Sequence, residues 1–415
     1  MSTGSNQIRI QERRFWDSMM ASARIGPGRD RGLKRLALDD ADREMRDLFV
    51  TWCEAAGLAV SVDAMGSIFA RRPGLDDGLP PVLVGSHLDT QVTGGRFDGI
   101  LGVLGGLEVL RTLNDHGIET RRPIELVNWA NEEGARFNPP MLASAVFAGL
   151  RPLAWAHART DNDGIDYGEE LKRIGYDGPN PVGGREVDAY FELHIEQGPL
   201  LEAAGVPVGI VTGGYATRGM RVEVHGETAH TGPTPMDKRR NALVGAAYLI
   251  AAVNDVGWRY HEQSGKSTSS QISIWPNATG ILPEFAQVTI DFRHPEVAGV
   301  EAMLAEVNRA IEDSAKKGNV RVEVAETWRF GDERFDPACI ELVRRAAADL
   351  AIPAMEIESQ AGHDAYNMTH VCPTAMIFSP CEGGISHNEA ENVAPEDAYP
   401  SVNVLLHAVL ARADR

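Results

Sequence analysis

The chain has 415 residues, more than one ordinary hydrophobic core accommodates, so two domains are expected. Hydrophobic residues make up 43% of the sequence and charged residues 24%, a balance typical of globular proteins, which excludes a largely disordered chain. The net charge of −19 repels phosphate backbones and anionic lipids, so neither nucleic acid nor a membrane is expected as a partner.

The cysteines and the apolar runs indicate the compartment. The four cysteines lie far apart and form no C-x-x-C pair, so the sequence predicts neither a disulfide framework nor a zinc knuckle. Residues 1–20 are polar and charged, and the best apolar run, 242–253, is too short to cross a bilayer. We therefore expect a cytoplasmic protein.

Helix and strand patterns alternate through the first half of the chain. An acidic amphipathic stretch over 39–57 predicts a helix, and 81–85 predicts a short buried strand. A second helix is predicted over 99–113, after Asp98 as an N-cap, and a second strand over 123–130. Strands that alternate with helices in this way predict an α/β sheet.

A different pattern begins near Gly213, where apolar and polar residues alternate as in a half-buried strand. The elements predicted from here are strand 220–224, helix 241–256, strands 272–274 and 288–292, helix 296–317 and strand 320–324. Their β-α-β-β-α-β order is that of the ferredoxin-like, or split βαβ, domain. From Phe335 onward the chain returns to helix and buried strand. We therefore predict a discontinuous domain, residues 1–212 and 329–415, that carries an inserted domain, residues 213–328.

Side chains that suit metal binding follow the predicted strands. His87 and Asp89 lie two residues apart at the end of a strand, so both can project from the same face. Asp98 lies in the glycine-rich loop 94–99, where glycines let the backbone approach an ion and a carboxylate can bridge two cations. Each of these residues alone is weak evidence for a metal site.

Two adjacent glutamates, Glu132 and Glu133, follow another predicted strand. Their charges repel unless a cation or a proton offsets them. One glutamate could bind a metal while its neighbour takes a proton from water, as metal-assisted hydrolysis requires. His194 and His387 complete the candidate set. If Asp98 is shared, the imidazoles and carboxylates supply three ligands to each of two metals and leave room for water.

Several longer motifs carry a resemblance to a known family. They are Gly-Ser-His-Leu-Asp-Thr (85–90), Gly-Gly-Arg-Phe-Asp-Gly-Ile-Leu-Gly-Val (94–103), Asn-Glu-Glu-Gly-Ala-Arg-Phe (131–137), His-Ile-Glu-Gln-Gly-Pro (194–199), Gly-Glu-Thr-Ala-His-Thr-Gly-Pro-Thr-Pro-Met (226–236), Ala-Gly-His-Asp-Ala (361–365) and Ser-His-Asn-Glu (386–389). In this order, and over nearly the whole chain, they resemble the hydantoinase/carbamoylase family of amidases, within the M20-type metallohydrolases. N-carbamoyl-L-amino acid hydrolases, β-ureidopropionases and allantoate amidohydrolases make up this branch.

The resemblance implies an aminopeptidase-like catalytic domain with a mixed central sheet, and an inserted domain that serves as lid and dimer interface. It also implies two divalent metal ions, with zinc as the first choice and manganese, cobalt or nickel also suited. The implied ligands are His87, Asp98 and His194 for one ion and Asp98, Glu133 and His387 for the other. Glu132 would be the general base, and Asp89 would orient His87 through its second ring nitrogen.

The resemblance implies substrate contacts as well. They are Gln197, His230, Asn277, Arg293 and Gly362. Arg293 ends a predicted strand of the inserted domain, and its guanidinium fork suits the carboxylate of a substrate. The alternative for Arg293 is a surface salt bridge with Asp291. His230 could also stabilise an oxyanion.

The expected reaction is hydrolysis of the ureido C–N bond of an N-carbamoyl amino acid, L-α or β such as N-carbamoyl-β-alanine, to amino acid, ammonia and carbon dioxide. The expected partners are this small substrate and a second copy of the chain. The alternatives are allantoate or another ureide as substrate, then an aminopeptidase or deacylase, and in a different class a non-catalytic binding protein. A nucleophilic role for Cys381 is disfavoured, because a histidine committed to a metal cannot also activate a thiol.

Overall fold

The structure is a computed structural model, which describes residues 8–415. Its contacts divide the chain into two compact units. The discontinuous unit comprises the described residues up to Gly213 together with Arg334–Arg415, and the inserted unit comprises Gly214–Glu333. Over residues 8–415, none of the helices has both the length and the apolar character needed to cross a membrane.

The helices and strands follow one another in chain order. The first part of the chain contains α1 (Glu12–Ser22), α2 (Asp40–Ala55), β1 (Ala59–Val62), β2 (Ile68–Arg72), β3 (Val82–His87), α3 (Ile100–Asp115), β4 (Ile124–Trp129), α4 (Leu142–Phe147), α5 (Leu153–His157), α6 (Tyr167–Ile174), β5 (Ala189–Ile195), α7 (Leu200–Ala204) and β6 (Val208–Gly214). The inserted unit contains β7 (Ala216–His225), α8 (Ala242–Tyr260), β8 (Lys266–Trp275), β9 (Phe285–His294), α9 (Val297–Gly318) and β10 (Arg321–Phe330). The chain ends with α10 (Pro337–Asp349), β11 (Ala354–Ser359), α11 (Asp364–Met368), β12 (Thr374–Ser379) and α12 (Pro395–Ala413).

An eight-stranded mixed sheet forms the centre of the discontinuous unit, with the strand order β1-β2-β4-β3-β5-β12-β6-β11. The four neighbouring strands β4, β3, β5 and β12 run parallel to one another. All of their residues are buried, as is typical of parallel strands that are covered on both faces. Their carboxyl ends therefore meet at one edge of the sheet.

Helix α3 packs directly against this sheet. It follows the loop that carries Asp98, and residues 100–107 are apolar with three glycines. Gly102 lies so close to β5 that an added Cβ would be 2.1 Å from the carbonyl oxygen of Leu193. The small residue therefore lets the helix approach the strand that carries His194.

The inserted unit is a four-stranded antiparallel sheet with the strand order β10-β7-β9-β8. Every second residue of β9 from Ala286 to Phe292 is buried and contributes to a core that α8 and α9 complete. The alternate residues of β9 lie on the opposite, more polar face. This arrangement follows from period-2 alternation, which buries one face of an antiparallel sheet.

The sequence predictions of the fold are confirmed in their main lines. The large mixed sheet is present, and the second half shows the expected β-α-β-β-α-β order. Strand β8 spans Lys266–Trp275, whereas the sequence predicts a strand that begins only at Ile272. The reason is that β8 is an edge strand with polar residues on both faces, so alternation does not mark it. The roles of the two units, as catalytic domain and as lid and dimer interface, stay predictions.

Gly102→Ala tests the close approach of α3 to β5. Alanine in place of glycine normally stabilises a helix interior by about 1 kcal/mol. Here the new methyl group would meet the Leu193 carbonyl oxygen at 2.1 Å, so we expect a loss of about 1–3 kcal/mol in the free energy of unfolding. Urea-induced unfolding measures the change. Gly105→Ala is the matched control, because its Cβ would lie 3.0 Å from the flexible end of the Leu193 side chain. Equal losses in both variants would contradict the interpretation.

Candidate metal centre

The parallel strands bring the predicted metal ligands to one edge of the sheet. His87 is the last residue of β3, and His194 is the next to last residue of β5. Glu133 follows β4, and His387 lies in the loop after β12. Because β4, β3, β5 and β12 are neighbours with the same direction, these side chains converge on Asp98, which lies in the loop after β3.

The first group of potential ligands consists of His87, Asp98 and His194. Oδ1 of Asp98 lies 3.1 Å from Nε2 of His194 and 3.7 Å from Nε2 of His87. All three side chains are buried, and one donor atom from each lies within 4.8 Å of the other two. Bonds from zinc to nitrogen or oxygen are about 2.0–2.2 Å long, so one cation fits between these atoms.

The second group consists of Asp98, Glu133 and His387. Nε2 of His387 lies 3.3 Å from Oε2 of Glu133 and 3.5 Å from Oδ2 of Asp98. The His387 side chain is 51% exposed, whereas the two carboxylates are buried. Asp98 therefore presents one oxygen to each group, which is the arrangement of a bridging carboxylate.

Main-chain carbonyls orient the two buried histidines. Nδ1 of His87 lies 2.9 Å from the carbonyl oxygen of Asp89, and Nδ1 of His194 lies 3.0 Å from that of Ile195. When each ring donates its Nδ1 proton to a carbonyl, Nε2 is left as the nitrogen that faces Asp98. Histidines that bind metals commonly have their second nitrogen engaged in this way.

The carboxylates of the two donor groups stabilise positive charge on their neighbours. Burial opposes the charged form of His194, yet the hydrogen bond to Asp98 raises the pKa of His194 to about 9. The charge of Glu133 raises the pKa of His387 to about 10. Burial would also raise the pKa of Asp98, but the neighbouring histidines hold it well below its usual value. Carboxylates that stabilise a positive charge on neighbouring imidazoles form, together with these imidazoles, a donor set that fits a divalent cation.

Glu132 lies beside the two groups without belonging to either. Its Oε2 is 3.5 Å from Nε2 of His87, and its side chain is 8% exposed. Burial raises the pKa of Glu132 well above its usual value, and the nearby carboxylates of Asp364, Glu133 and Asp89 add to this shift. A glutamate with a raised pKa next to a candidate metal site suits a group that accepts a proton and later returns it.

Asp89 contacts its neighbours differently from the predicted role. The sequence predicts that its side chain orients His87, but the nearest carboxylate oxygen is 3.9 Å from Nδ1 of His87, and the Asp89 carbonyl makes the contact instead. The carboxylate accepts the main-chain amides of Glu132 and Glu133, both at 3.2 Å. The reason is that the turn after β4 presents two amides with no partner in the sheet, and one carboxylate satisfies both. Asp89 therefore fixes the glutamate pair.

Two of the predicted substrate contacts lie in the discontinuous unit. Gln197 has a left-handed backbone conformation, with φ at 57°, and its amide donates to Oδ2 of Asp98 at 2.7 Å. Within residues 8–415, its buried Oε1 has no hydrogen-bond partner. Gly362 directly precedes His363, whose ring centroid is 4.4 Å from that of His194. Gln197 thus contacts one candidate ligand directly, whereas Gly362 is only the chain neighbour of a residue that packs against another.

The other three predicted substrate contacts lie in the inserted unit. His230 is exposed, and its Nδ1 accepts a main-chain amide at 3.0 Å. Asn277 is exposed and follows β8. Nε of Arg293 donates to Asp291 at 2.7 Å, and the guanidinium lies 5.7 Å from the centroid of the Phe330 ring. The salt bridge that the sequence allows as an alternative for Arg293 is therefore present.

Ser386 and Glu391 belong to the site but are missing from the predicted set. The hydroxyl of Ser386 lies 2.7 Å from Oδ2 of Asp98, and Glu391 accepts the Asp98 amide at 3.1 Å. Ser386 lies within the family motif of residues 386–389, whereas Glu391 lies two residues beyond that motif. A carboxylate in a polar loop looks the same in a sequence whether it is solvated or buried, so this position alone could not have identified Glu391.

A further set of metal-type side chains lies in the inserted unit. Glu223, His225 and Glu323 have donor atoms within 4.8 Å of one another. These side chains are partly exposed, and Glu323 is paired with Arg321 while Glu223 accepts a hydrogen bond from Gln287. Solvent and these neighbours offset the charges, so we assign no metal to this set.

Cys381 is buried near the donor groups. Burial raises the pKa of its thiol to about 12, and the sulfur lies 4.0 Å from the carbonyl oxygen of Gly198. A thiol held in its protonated form is a poor nucleophile, which agrees with a packing role.

Comparison with known proteins agrees with this geometry. The sequence pattern described as Peptidase family M20/M25/M40 matches residues 83–411. An N-carbamoyl-L-amino-acid amidohydrolase from Rhizobium meliloti is 46% identical over 414 residues, which cover 100% of this chain and 99% of that protein. An allantoate deiminase from Arabidopsis thaliana is 31% identical over 405 residues, which cover 88% of this chain and 76% of that protein.

A solved structure is similar over both units. The crystal structure of an amidase of the hydantoinase/carbamoylase family from Burkholderia vietnamiensis has a TM-score of 0.96 and 46% identity, with 99% of each chain covered. Family M20 enzymes are metal-dependent, in agreement with the two donor groups. The chain therefore belongs to peptidase family M20/M25/M40 and, within it, to the hydantoinase/carbamoylase amidases.

Proposed function

We propose that this protein hydrolyses the ureido C–N bond of N-carbamoyl amino acids. The observation that carries the proposal is the position of Glu132 beside two donor groups that share Asp98. The 46% identity to an N-carbamoyl-L-amino-acid amidohydrolase supports this substrate class. The protein would thus be a hydrolase of non-peptide C–N bonds in linear amides.

Two divalent cations are proposed, one for each donor group. The residues that would hold them are His87, Asp98 and His194 for one and Asp98, Glu133 and His387 for the other. Imidazole and carboxylate donors suit zinc first, and manganese, cobalt or nickel as well. Cations bound there supply Lewis acidity, which polarises a carbonyl group and makes water more acidic.

Glu132 is proposed to move the proton. Its raised pKa suits a carboxylate that takes a proton from the attacking water and delivers it to the leaving nitrogen. Asp89 holds the Glu132 amide, so the backbone that carries the base is fixed. Attack of water on the ureido carbon and cleavage of its bond to the amino acid nitrogen release the amino acid and carbamate. Carbamate then decomposes to ammonia and carbon dioxide.

Arg293 is proposed to bind the carboxylate of the substrate. Its hydrogen bond to Asp291 fixes the plane of the guanidinium, and a fixed fork is favourable for a bidentate contact. Gln197, Asn277 and Gly362 are further proposed substrate contacts, and His230 is proposed to stabilise the oxyanion. The unpaired Oε1 of Gln197 supports its assignment, because a buried carbonyl oxygen gains from a donor on a ligand.

Allantoate is the second candidate substrate, because an allantoate deiminase from Arabidopsis thaliana is 31% identical. Allantoate also carries ureido groups and a carboxylate, so the same residues could serve it. Peptides and acylated amino acids rank below both. Steady-state assays with an N-carbamoyl-α-amino acid, N-carbamoyl-β-alanine and allantoate separate the candidates, and a higher kcat/KM for allantoate would replace the first proposal.

A dimer through the inserted unit is also proposed. Strand β8 is an edge of its sheet, so one side of its backbone has no partner strand within that sheet. Large apolar side chains on β8 and α8 are exposed, among them Ile272 at 43%, Trp275 at 66% and Trp258 at 69%. An unpaired edge beside exposed apolar side chains favours pairing with a second copy.

The roles of the two glutamates can be separated by substitution. Glu132→Gln should keep the bound metal and lose turnover by about 10²–10⁴-fold, because only the proton acceptor is removed. Glu133→Gln should bind metal more weakly, because a charged ligand is lost. Elemental analysis of both purified variants, together with kcat, measures the two effects. Metal loss in Glu132→Gln with full metal content in Glu133→Gln would reverse the assignments, and wild-type activity that survives a chelator would rule out the metal mechanism.

The contact to the substrate carboxylate predicts a substrate-dependent loss. Arg293→Ala should lower kcat/KM for an N-carbamoyl amino acid by an amount that corresponds to about 2–4 kcal/mol of transition-state binding. Arg293→Lys should also lose activity, because lysine lacks the planar fork. The same variants should change little with the matching amide, which has no carboxylate. Equal losses on acid and amide would show that Arg293 supports the fold through Asp291 instead.

Substitutions at the two edge strands of the four-stranded sheet, β8 and β10, test the proposed dimer. Ile272→Lys on β8 should give a monomer in sedimentation velocity, because a charge at the interface opposes pairing. Val324→Lys on β10 is the matched control, since Val324 is likewise 43% exposed, and it should leave the dimer intact. If only Val324→Lys gave a monomer, the interface would lie at β10 instead of β8. A wild type that is itself monomeric would contradict the proposed dimer.

A further inference from the structure

Glu391 lies fully buried in the loop that follows β12. Its Oε1 accepts the main-chain amides of Phe97 at 2.9 Å and Asp98 at 3.1 Å. Its Oε2 lies 3.2 Å from the hydroxyl of Ser386, which is 2.7 Å from Oδ2 of Asp98. The Glu391 carboxylate is therefore connected to Asp98 in two ways, directly through the Asp98 amide and indirectly through the hydroxyl of Ser386.

Gly95 provides the space that Glu391 occupies. An added Cβ at Gly95 would lie 2.0 Å from both Cδ and Oε1 of the glutamate. The end of a glutamate side chain usually moves aside easily, but this one is fixed by two amides and by burial. The second glycine of the Gly-Gly-Arg-Phe-Asp-Gly motif is thus explained by a close approach between two loops.

The same two loops are joined at two further points. Thr93 donates to the carbonyl oxygen of His387 at 3.1 Å, and Arg96 donates to the side chain of Asn392 at 3.0 Å. These contacts are partly exposed, whereas Glu391 is buried. The glutamate is therefore the central connection between the loop of Asp98 and the loop of His387.

We propose that Glu391 is a positioning residue for the metal centre. By holding the backbone and one oxygen of Asp98, it keeps the two carboxylate oxygens directed at His194 and His387 respectively. Glu391 itself belongs to neither donor group, so it acts through Asp98. This inference rests on the proposed metal centre, and it predicts that loss of Glu391 changes cation affinity.

Cobalt(II) titration of the metal-free protein, followed by its absorption spectrum, tests the proposal. Glu391→Ala should weaken binding by about 10–100-fold, the usual effect of removing a partner of a metal ligand. Glu391→Gln should bind nearly as tightly as the wild type, because its carbonyl oxygen still accepts both amides. In the reloaded enzymes, kcat should fall in the alanine variant while KM changes little, since Glu391 has no proposed substrate contact.

Asp63→Ala is the matched control for a purely structural effect. Asp63 is also a buried carboxylate that accepts two main-chain amides, those of Met65 at 2.9 Å and Ser67 at 3.0 Å, but it belongs to no donor group. This variant should lose thermal stability and keep the wild-type cobalt titration. If Glu391→Ala and Asp63→Ala titrate alike, Glu391 is structural and the inference is overturned. A wild type that binds no cobalt would instead overturn the proposed metal centre.

A double substitution checks the close approach of the two loops. Gly95→Ala alone should weaken cobalt binding, because its methyl group displaces the glutamate. In the Glu391→Gly background the same change should have little further effect, because the whole side chain that it meets, including the Cβ at 2.5 Å, has been removed. Losses that simply add would show that Gly95 and Glu391 act independently, which contradicts the proposal.

Discussion

Repulsion between buried carboxylates is the constraint on which the whole site depends. Asp98, Glu132 and Glu133 lie together at the edge of the sheet, where water is largely excluded and like charges repel strongly. Two kinds of positive charge can relieve this repulsion, protons and metal cations. The carboxylates raise the pKa values of His194 and His387, so they stabilise protons on these two imidazoles. A divalent cation in each donor group would replace those protons and remove most of the repulsion.

A second layer of buried acids supports the first. Glu192 accepts hydrogen bonds from the hydroxyls of Ser86 and Tyr190 and from the amide of Ala365. Burial raises the pKa of Glu192, and burial and Glu192 together raise the pKa of Asp364 well above its usual value. Asp364 and Glu192 in turn add to the effect of burial in raising the pKa of Glu132. The buried acids behind Glu132 thus increase the proton affinity of the proposed base.

The sequence predicts those parts of the site that depend on the types of the residues and on the order of the elements along the chain. Candidate ligands could be named because they follow predicted strands or lie in a glycine-rich loop, and the family resemblance assigned them to two ions. The ferredoxin-like unit could be named from the order of its predicted strands and helices. The sequence does not predict individual hydrogen bonds where several donors compete for one carboxylate. The contact of Asp89 with the glutamate pair depends on which amides the turn after β4 leaves unpaired. The role of Glu391 depends on burial that only the packing of two distant loops creates.

The order of the ligands along the chain has a consequence for biosynthesis. His87, Asp98, Glu133 and His194 all precede the inserted unit, whereas His387 follows it. Strand β12, which pairs with both β5 and β6, is also made late. A ribosome-bound chain therefore exposes unpaired strand edges and a carboxylate-rich, incomplete centre until the last tenth of the protein, roughly, has emerged. The donor group of Asp98, Glu133 and His387 is therefore complete only once synthesis is nearly finished, whereas His87, Asp98 and His194 are all made before the inserted unit.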